Sequence, residues 1–186
     1  MTSLFLAPHS DDEALFGAFT LMRVKPIVLI VTDGTTQYIR DGNPSPHRRW
    51  QESVEACALL GCPVIRGRMD DSMTRDDIRR MFEQFSGFDT VYAPALQYGN
   101  PHHDMVYQGA VDVFKNIVFY STYCKDESYA GDHGFIGHAF KEVMPTDPEI
   151  ALKRAALKCY DSQLKHKWTT HHFNAMWTGR SEWLAS

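Results

Sequence analysis

Short apolar runs alternate with longer amphipathic stretches along the chain. The runs are Ser3 to Ala7 (SLFLA), Ile27 to Thr32 (IVLIVT), Pro63 to Arg66 (PVIR), Thr90 to Ala93 (TVYA) and Asn116 to Ser121 (NIVFYS). Their nearly unbroken apolar character suits strands covered on both faces, as in parallel sheets. Between them, helical spacing predicts helices over Asp12 to Met22, Arg48 to Leu60, Thr74 to Phe85 and Asp104 to Phe114. In the second of these, Trp50, Val54, Cys57 and Leu60 form the expected apolar stripe, and Gly61 the stop. A last helix, Asp147 to Leu164, opens on Asp then Pro, a cap followed by the residue tolerated in a first turn. Strand and helix in alternation predict an α/β class with a mostly parallel sheet and crossover helices.

In such sheets ligands bind outside the carboxyl ends of the strands, so the loops after Ala7, Thr32, Arg66, Ala93 and Ser121 are where a site is expected. Thr36 to His47 and Lys125 to Met144 lack clear periodicity and read as irregular. A length of 186 residues with 44% hydrophobic positions is enough for a real core and predicts a single domain over residues 1–186. A net charge of -4 gives no field that attracts nucleic acid or an anionic membrane, which points to a small-molecule partner. Cys57, Cys62, Cys124 and Cys159 show no CxxC spacing and sit among apolar residues, the usage of reduced thiols in a cytoplasmic protein. No apolar stretch approaches the length of a membrane span, and no basic segment leads into one at the start.

The chemistry concentrates in two loops. Residues 7 to 13 read APHSDDE, with His9, Asp11, Asp12 and Glu13 directly behind the first run. Acids at a helix start also follow from capping and the helix dipole alone. A histidine nitrogen and a carboxylate oxygen together, however, suit a borderline divalent ion such as zinc, whose catalytic sites take three protein ligands and a water. The remaining ligand must come from elsewhere in the chain. Tyr98 to Asp104 (YGNPHHD) is the second rich segment and follows the run Thr90 to Ala93. If the first and fourth strands are neighbours, both loops open on one crevice.

APHSDDE resembles the AHPDDE-type signature of the PIG-L or LmbE-like family of zinc-dependent N-acetylglucosamine deacetylases, and YGNPHHD falls where that family carries an HPDH-type motif. Further similarity lies in TDG at Thr32 to Gly34, RWQE at Arg49 to Glu52, LLG at Leu59 to Gly61 and ALKCYDSQ near the end, so it spans roughly Leu4 to Gln163. The resemblance implies a Rossmann-like fold with helices on both faces of the sheet. It implies His9, Asp12 and His103 as metal ligands and Asp11 as general base, with zinc as the ion and iron(II) or manganese(II) as other divalent ions of that type. It also implies the reaction, in which a metal-activated hydroxide attacks an acetamide carbonyl of an amino sugar or glycoconjugate and releases acetate and amine. Glu13 is expected to support the loop rather than react. Arg49 matches a family arginine that approaches the substrate, and Asp71 an acid that accepts from sugar hydroxyls; a solvated arginine and a capping acid are the alternatives. Thr32 and Asp33 are expected to support the metal loop, and Tyr160, Ser162 and Gln163 to serve structure.

One departure stands out. The family's histidine three positions before the last ligand is Asn100 here, and an amide cannot act as a general acid near pH 7. Asn100 can still donate a hydrogen bond and the adjacent His102 can take the histidine's place, so Asn100 and His102 are the candidates there and the proton-donor role is left unassigned. The same departure leaves open a sugar-binding protein without turnover. A dinucleotide-binding oxidoreductase is disfavoured, because no GxGxxG follows Leu6 and an acidic loop would repel a pyrophosphate.

Overall fold

A computed structural model describes residues 2–34, 45–70, 72–122, 140–164 and 182–185. The expectations for Asp71 and Cys124 fall outside these residues. The sheet has seven strands in the order β3-β2-β1-β4-β5-β7-β6. They are β1 (Ser3–Ala7), β2 (Ile27–Thr32), β3 (Val64–Met69), β4 (Thr90–Pro94), β5 (Ile117–Tyr120), β6 (Phe140–Val143) and β7 (Glu182–Ala185). β1 pairs in parallel with β2 on one side and β4 on the other, with Leu4 opposite both Ile27 and Val91. β3 and β5 extend the parallel set, and β7 runs antiparallel to both β5 and β6. The sequence expectation did not include β6 and β7: FKEV and EWLA are short and carry charges, so no apolar run marks them.

The helices are α1 (Asp12–Phe16), α2 (Ala18–Val24), α3 (Pro46–Leu60), α4 (Arg75–Glu83), α5 (Pro101–Val113), α6 (Asp147–Lys158) and α7 (Asp161–Leu164). Side-chain alternation along β1 and β2 divides the core between the two faces of the sheet. Phe5, Ala7, Val28 and Ile30 pack with residues of α1, α2, α3 and α6, whereas Leu4, Leu6, Leu29 and Val31 pack with α4 and α5. The Rossmann-like α/β architecture is thus present, with helices on both faces. Among the described residues no helix is long and apolar enough to cross a membrane. Cys57, Cys62 and Cys159 are free thiols.

Three helix expectations are corrected. Asp12 to Met22 is not one helix but two, broken at Gly17, because a Cβ there would meet Phe5 Cζ at 2.3 Å and because Glu182 occupies the start of α2, accepting from Phe19 N at 2.9 Å and Thr20 N at 3.1 Å. Asp147 to Leu164 likewise divides around Cys159 and Tyr160, and its cap is Thr146, not Asp147: the Glu149 carboxylate accepts from Thr146 N and Oγ1 at 2.7 and 2.9 Å. The stripe on α3 is also different. Cys57 and Leu60 are buried and Trp50 packs against the core as expected, but Val54 is 39% exposed, and the other buried residues of the helix are Arg49, Glu52, Ser53 and Ala56. Hydropathy misreads that face because half of it is polar.

The pair Lys153 and Glu182 lies wholly inside. Lys153 Nζ is 3.1 Å from Glu182 Oε1, and the two residues are 1% and 2% exposed. Burial lowers the Lys153 ammonium and raises the Glu182 carboxyl, each against the attraction of the other. Removing one member leaves an uncompensated charge, so Lys153→Met is expected to cost about 3–5 kcal/mol. An unchanged urea midpoint would show instead that the α2 amides alone satisfy Glu182. Gly17→Ala is expected to destabilise by about 1–3 kcal/mol through overpacking on the Phe5 ring. Gly87→Ala, with nothing within 4 Å of its added Cβ, should leave the same unfolding curve in place.

Candidate metal centre

The chain leaves β1 toward β2 and returns through β4 on the opposite side, so a crevice opens between the carboxyl ends of β1 and β4. The loop after β1 is tied down at its root: Pro8 O accepts from Thr32 N at 3.0 Å and Thr32 Oγ1 at 2.9 Å. Thr32 therefore supports this loop as expected; Asp33 N donates to Met69 O, and the Asp33 carboxylate lies 3.9 Å from Arg66 Nη2. Asp11 then takes a left-handed backbone, φ 111°, which an L side chain rarely adopts. Several bonds hold it there. Asp11 N donates to Glu13 Oε2 at 3.1 Å, and Asp11 O accepts from Ala14 N and Leu15 N at 3.0 and 2.9 Å. Arg49 Nη2 donates to Ser10 O at 2.5 Å and to Asp11 Oδ2 at 3.3 Å.

The other side is the start of α5. Asp104 Oδ1 accepts from Gln97 N and Tyr98 N at 3.4 and 3.2 Å, closing the turn behind β4. Asn100 is the N-cap, and its Oδ1 accepts from His102 N at 2.9 Å. The helix begins at Pro101, not at Asp104, since Asn100 and Pro101 are a cap and first-turn pair of the kind expected for Asp147 and Pro148. That capped first turn presents His102 and His103 side by side.

His9, Asp12 and His103 converge. His9 Nδ1 is 3.2 Å from Asp12 Oδ2 and 3.2 Å from His103 Nε2, and His103 Nε2 is 3.1 Å from Asp12 Oδ2. All three are buried, at 8%, 3% and 2% exposure. At metal–ligand distances of about 2.0–2.1 Å, a tetrahedral ion holds its donors about 3.3 Å apart, so this near-equilateral triangle of nitrogen, nitrogen and carboxylate oxygen fits a zinc-type ion. His9 Nε2 turns the other way, 2.9 Å from His102 Nδ1.

The electrostatics separate the neighbouring acids. Burial penalises the Asp12 carboxylate, but His103 and His9 outweigh it by charge and hydrogen bonds and hold the group well below the usual range. Burial pushes the Asp11 carboxyl up to about 8 against the pull of Arg49, with Asp12 adding to the rise. Burial lowers His9 to about 4, which keeps its imidazole neutral and able to ligate. Glu13 is raised well above its ordinary value by burial and by Asp11.

The sequence matches to RWQE and YDSQ prove to be the scaffold behind this loop. Tyr160 Oη donates to Glu13 Oε1 and lies 3.2 Å from Ser53 Oγ. Glu52 accepts from Ser162 N at 3.0 Å and from Ser162 Oγ at 2.5 Å. Tyr120 Oη, which the sequence reading did not single out, donates to Leu6 O at 2.8 Å beneath the loop. Arg49 is 6% exposed, so the solvated alternative is excluded; its guanidinium faces Ser10 and Asp11. The structure thus brings together His9, Asp11, Asp12, Arg49, His102 and His103, and uses the Asn100 oxygen as a cap.

Solved structures share this architecture. The zinc-inhibited form of a teicoplanin deacetylase is 13% identical, with 100% of this chain and 97% of that chain covered and a TM-score of 0.71. An N,N'-diacetylchitobiose deacetylase from Pyrococcus horikoshii is 18% identical over 94% of this chain and 76% of that chain, with a TM-score of 0.66. The 4-carboxy-2-hydroxymuconate hydratase of Pseudomonas putida also matches, 13% identical over 94% and 84% of the two chains with a TM-score of 0.65, so the fold carries more than one chemistry. No curated protein matches the sequence. The family model described as GlcNAc-PI de-N-acetylase matches residues 4–114, a segment that contains both loops of the convergent site, and the chain therefore belongs to the PIG-L family.

Proposed function

We propose that the protein is a metal-dependent hydrolase that removes an N-acetyl group from an amino sugar or a sugar-bearing small molecule, with Asp11 as general base. The observation that carries this reading is the meeting of His9, Asp12 and His103 within 4.8 Å, in a member of a de-N-acetylase family. The diacetylated chitobiose named for one solved structure of the fold supports an acetylated amino sugar as the substrate class.

His9, Asp12 and His103 would hold the ion. A zinc ion bound there would supply Lewis acidity toward a carbonyl oxygen and would lower the pKa of water to about 7. Asp11 takes a proton from the attacking water as its oxygen bonds to the acetyl carbon, and returns one to the nitrogen as the carbon–nitrogen bond breaks. Acetate and free amine are the products. Burial raises the Asp11 carboxyl, and Arg49 opposes that rise while holding the group in place. Glu13, bonded to Tyr160 and to Asp11 N, fixes the backbone from which Asp11 projects.

A second reading, a sugar-binding protein of the same fold without turnover, is favoured by the Asn100 cap, since an amide engaged at a helix start does not protonate a leaving group. Amine release from a panel of N-acetylated sugar conjugates, with and without added zinc, separates the two. Turnover is expected in zinc and its loss with chelator; tight glycan binding with no amine under any metal would favour the second reading. Asp11→Asn is expected to lower kcat by about 10²–10⁴ with metal content unchanged, and full activity in that variant would sink Asp11 as base. His103→Ala should lose bound metal and activity together, which elemental analysis of the purified protein checks.

A further inference from the structure

Resting on the metal reading above, we infer that His102 is a positioning residue: it accepts a hydrogen bond from His9 and so fixes the tautomer and ring orientation with which His9 meets the ion. The His9 ring is held between neighbours on the first turn of α5. Its Nδ1 lies 3.2 Å from His103 Nε2 and its Nε2 lies 2.9 Å from His102 Nδ1. The two ring centroids are 5.1 and 5.2 Å from that of His9, so the ring is flanked on both sides.

The proton inventory of the pair follows from this arrangement. A neutral imidazole has one N–H and one lone pair. If Nδ1 gives its lone pair to an ion, the His9 proton sits on Nε2, and only an acceptor can stand 2.9 Å away. His102 Nδ1 is that acceptor, which places the His102 proton on its own Nε2. A His102 imidazolium would set two N–H groups against each other, so holding His9 and acting as the acid are mutually exclusive tasks for this side chain. Asn100 enters the same chain of contacts one step further out: its Oδ1 bonds to His102 N and sets the turn from which His102 reaches back. Asn100 and His102 therefore act together on His9.

Outer partners of metal-bound histidines commonly set affinity, which gives a readout independent of turnover. Zinc affinity is measured by competition with a chromophoric chelator for the wild-type protein, His102→Ala, His102→Phe and His102→Asn. The asparagine oxygen can accept where Nδ1 did, whereas phenylalanine keeps the ring volume and loses the acceptor. Ala and Phe are expected to weaken zinc binding about 10–100-fold and Asn to stay within about threefold of wild type. Equal affinity in all four proteins would overturn the inference, and so would an equal loss in all three variants, which would trace to the imidazole ring itself. Thermal melts of the zinc-free forms identify a variant that fails to fold, and the Phe variant then stands in for Ala. A wild-type protein that takes up no zinc would overturn the metal reading itself, before any variant is compared.

Discussion

Consecutive acids cannot be buried without partners, and Asp11, Asp12 and Glu13 are 7%, 3% and 0% exposed. Each uncompensated carboxylate would cost several kcal/mol. Each therefore has its own solution. Asp11 faces a guanidinium, Asp12 faces histidines, and Glu13 is pushed toward its neutral form and bonded to a phenol. Much of the molecule is arranged to deliver those partners from far along the chain: Arg49 from α3, His103 from α5 and Tyr160 from between α6 and α7.

This requirement explains why α3 turns a polar face inward. Arg49, Glu52 and Ser53 are buried because Asp11, Ser162 and Tyr160 are there to meet them. It also explains how the left-handed backbone at Asp11 persists. Strain of that kind costs about 1–3 kcal/mol and survives only where its surroundings over-determine it. Here Glu13, Arg49 and the first amides of α1 all bind the same turn. The strain sits beside the triangle of His9, Asp12 and His103, where it turns Asp11 and Asp12 toward different partners.

The parallel strands and the helices between them were legible in the sequence because burial on both faces leaves continuous apolar runs. The two loops that converge were legible because histidines and acids at strand ends depart from what turns require. Gly17 was not legible as a break: nothing local shows that the Phe5 ring and the Glu182 carboxylate will both stand there. The stripe on α3 was misplaced for a related reason, since hydropathy counts residues and does not know their partners. Nor could β7 be read, as its defining residue is a charged glutamate whose burial depends on Lys153. These misses are polar or glycine positions whose role is set by a residue distant in sequence.

The position of Asn100 shows how local and distant requirements meet. A helix start needs a side-chain acceptor, and asparagine is among the best N-caps. An asparagine there keeps α5 in place and gives up an ionisable group at the mouth of the crevice. The turn it caps carries His103 to His9 and Asp12 and sets His102 against the other nitrogen of the His9 ring. A change in the outer residues of such a site need not abolish it. It can move the work of orientation from one side chain to another while the triangle of His9, Asp12 and His103 stays closed.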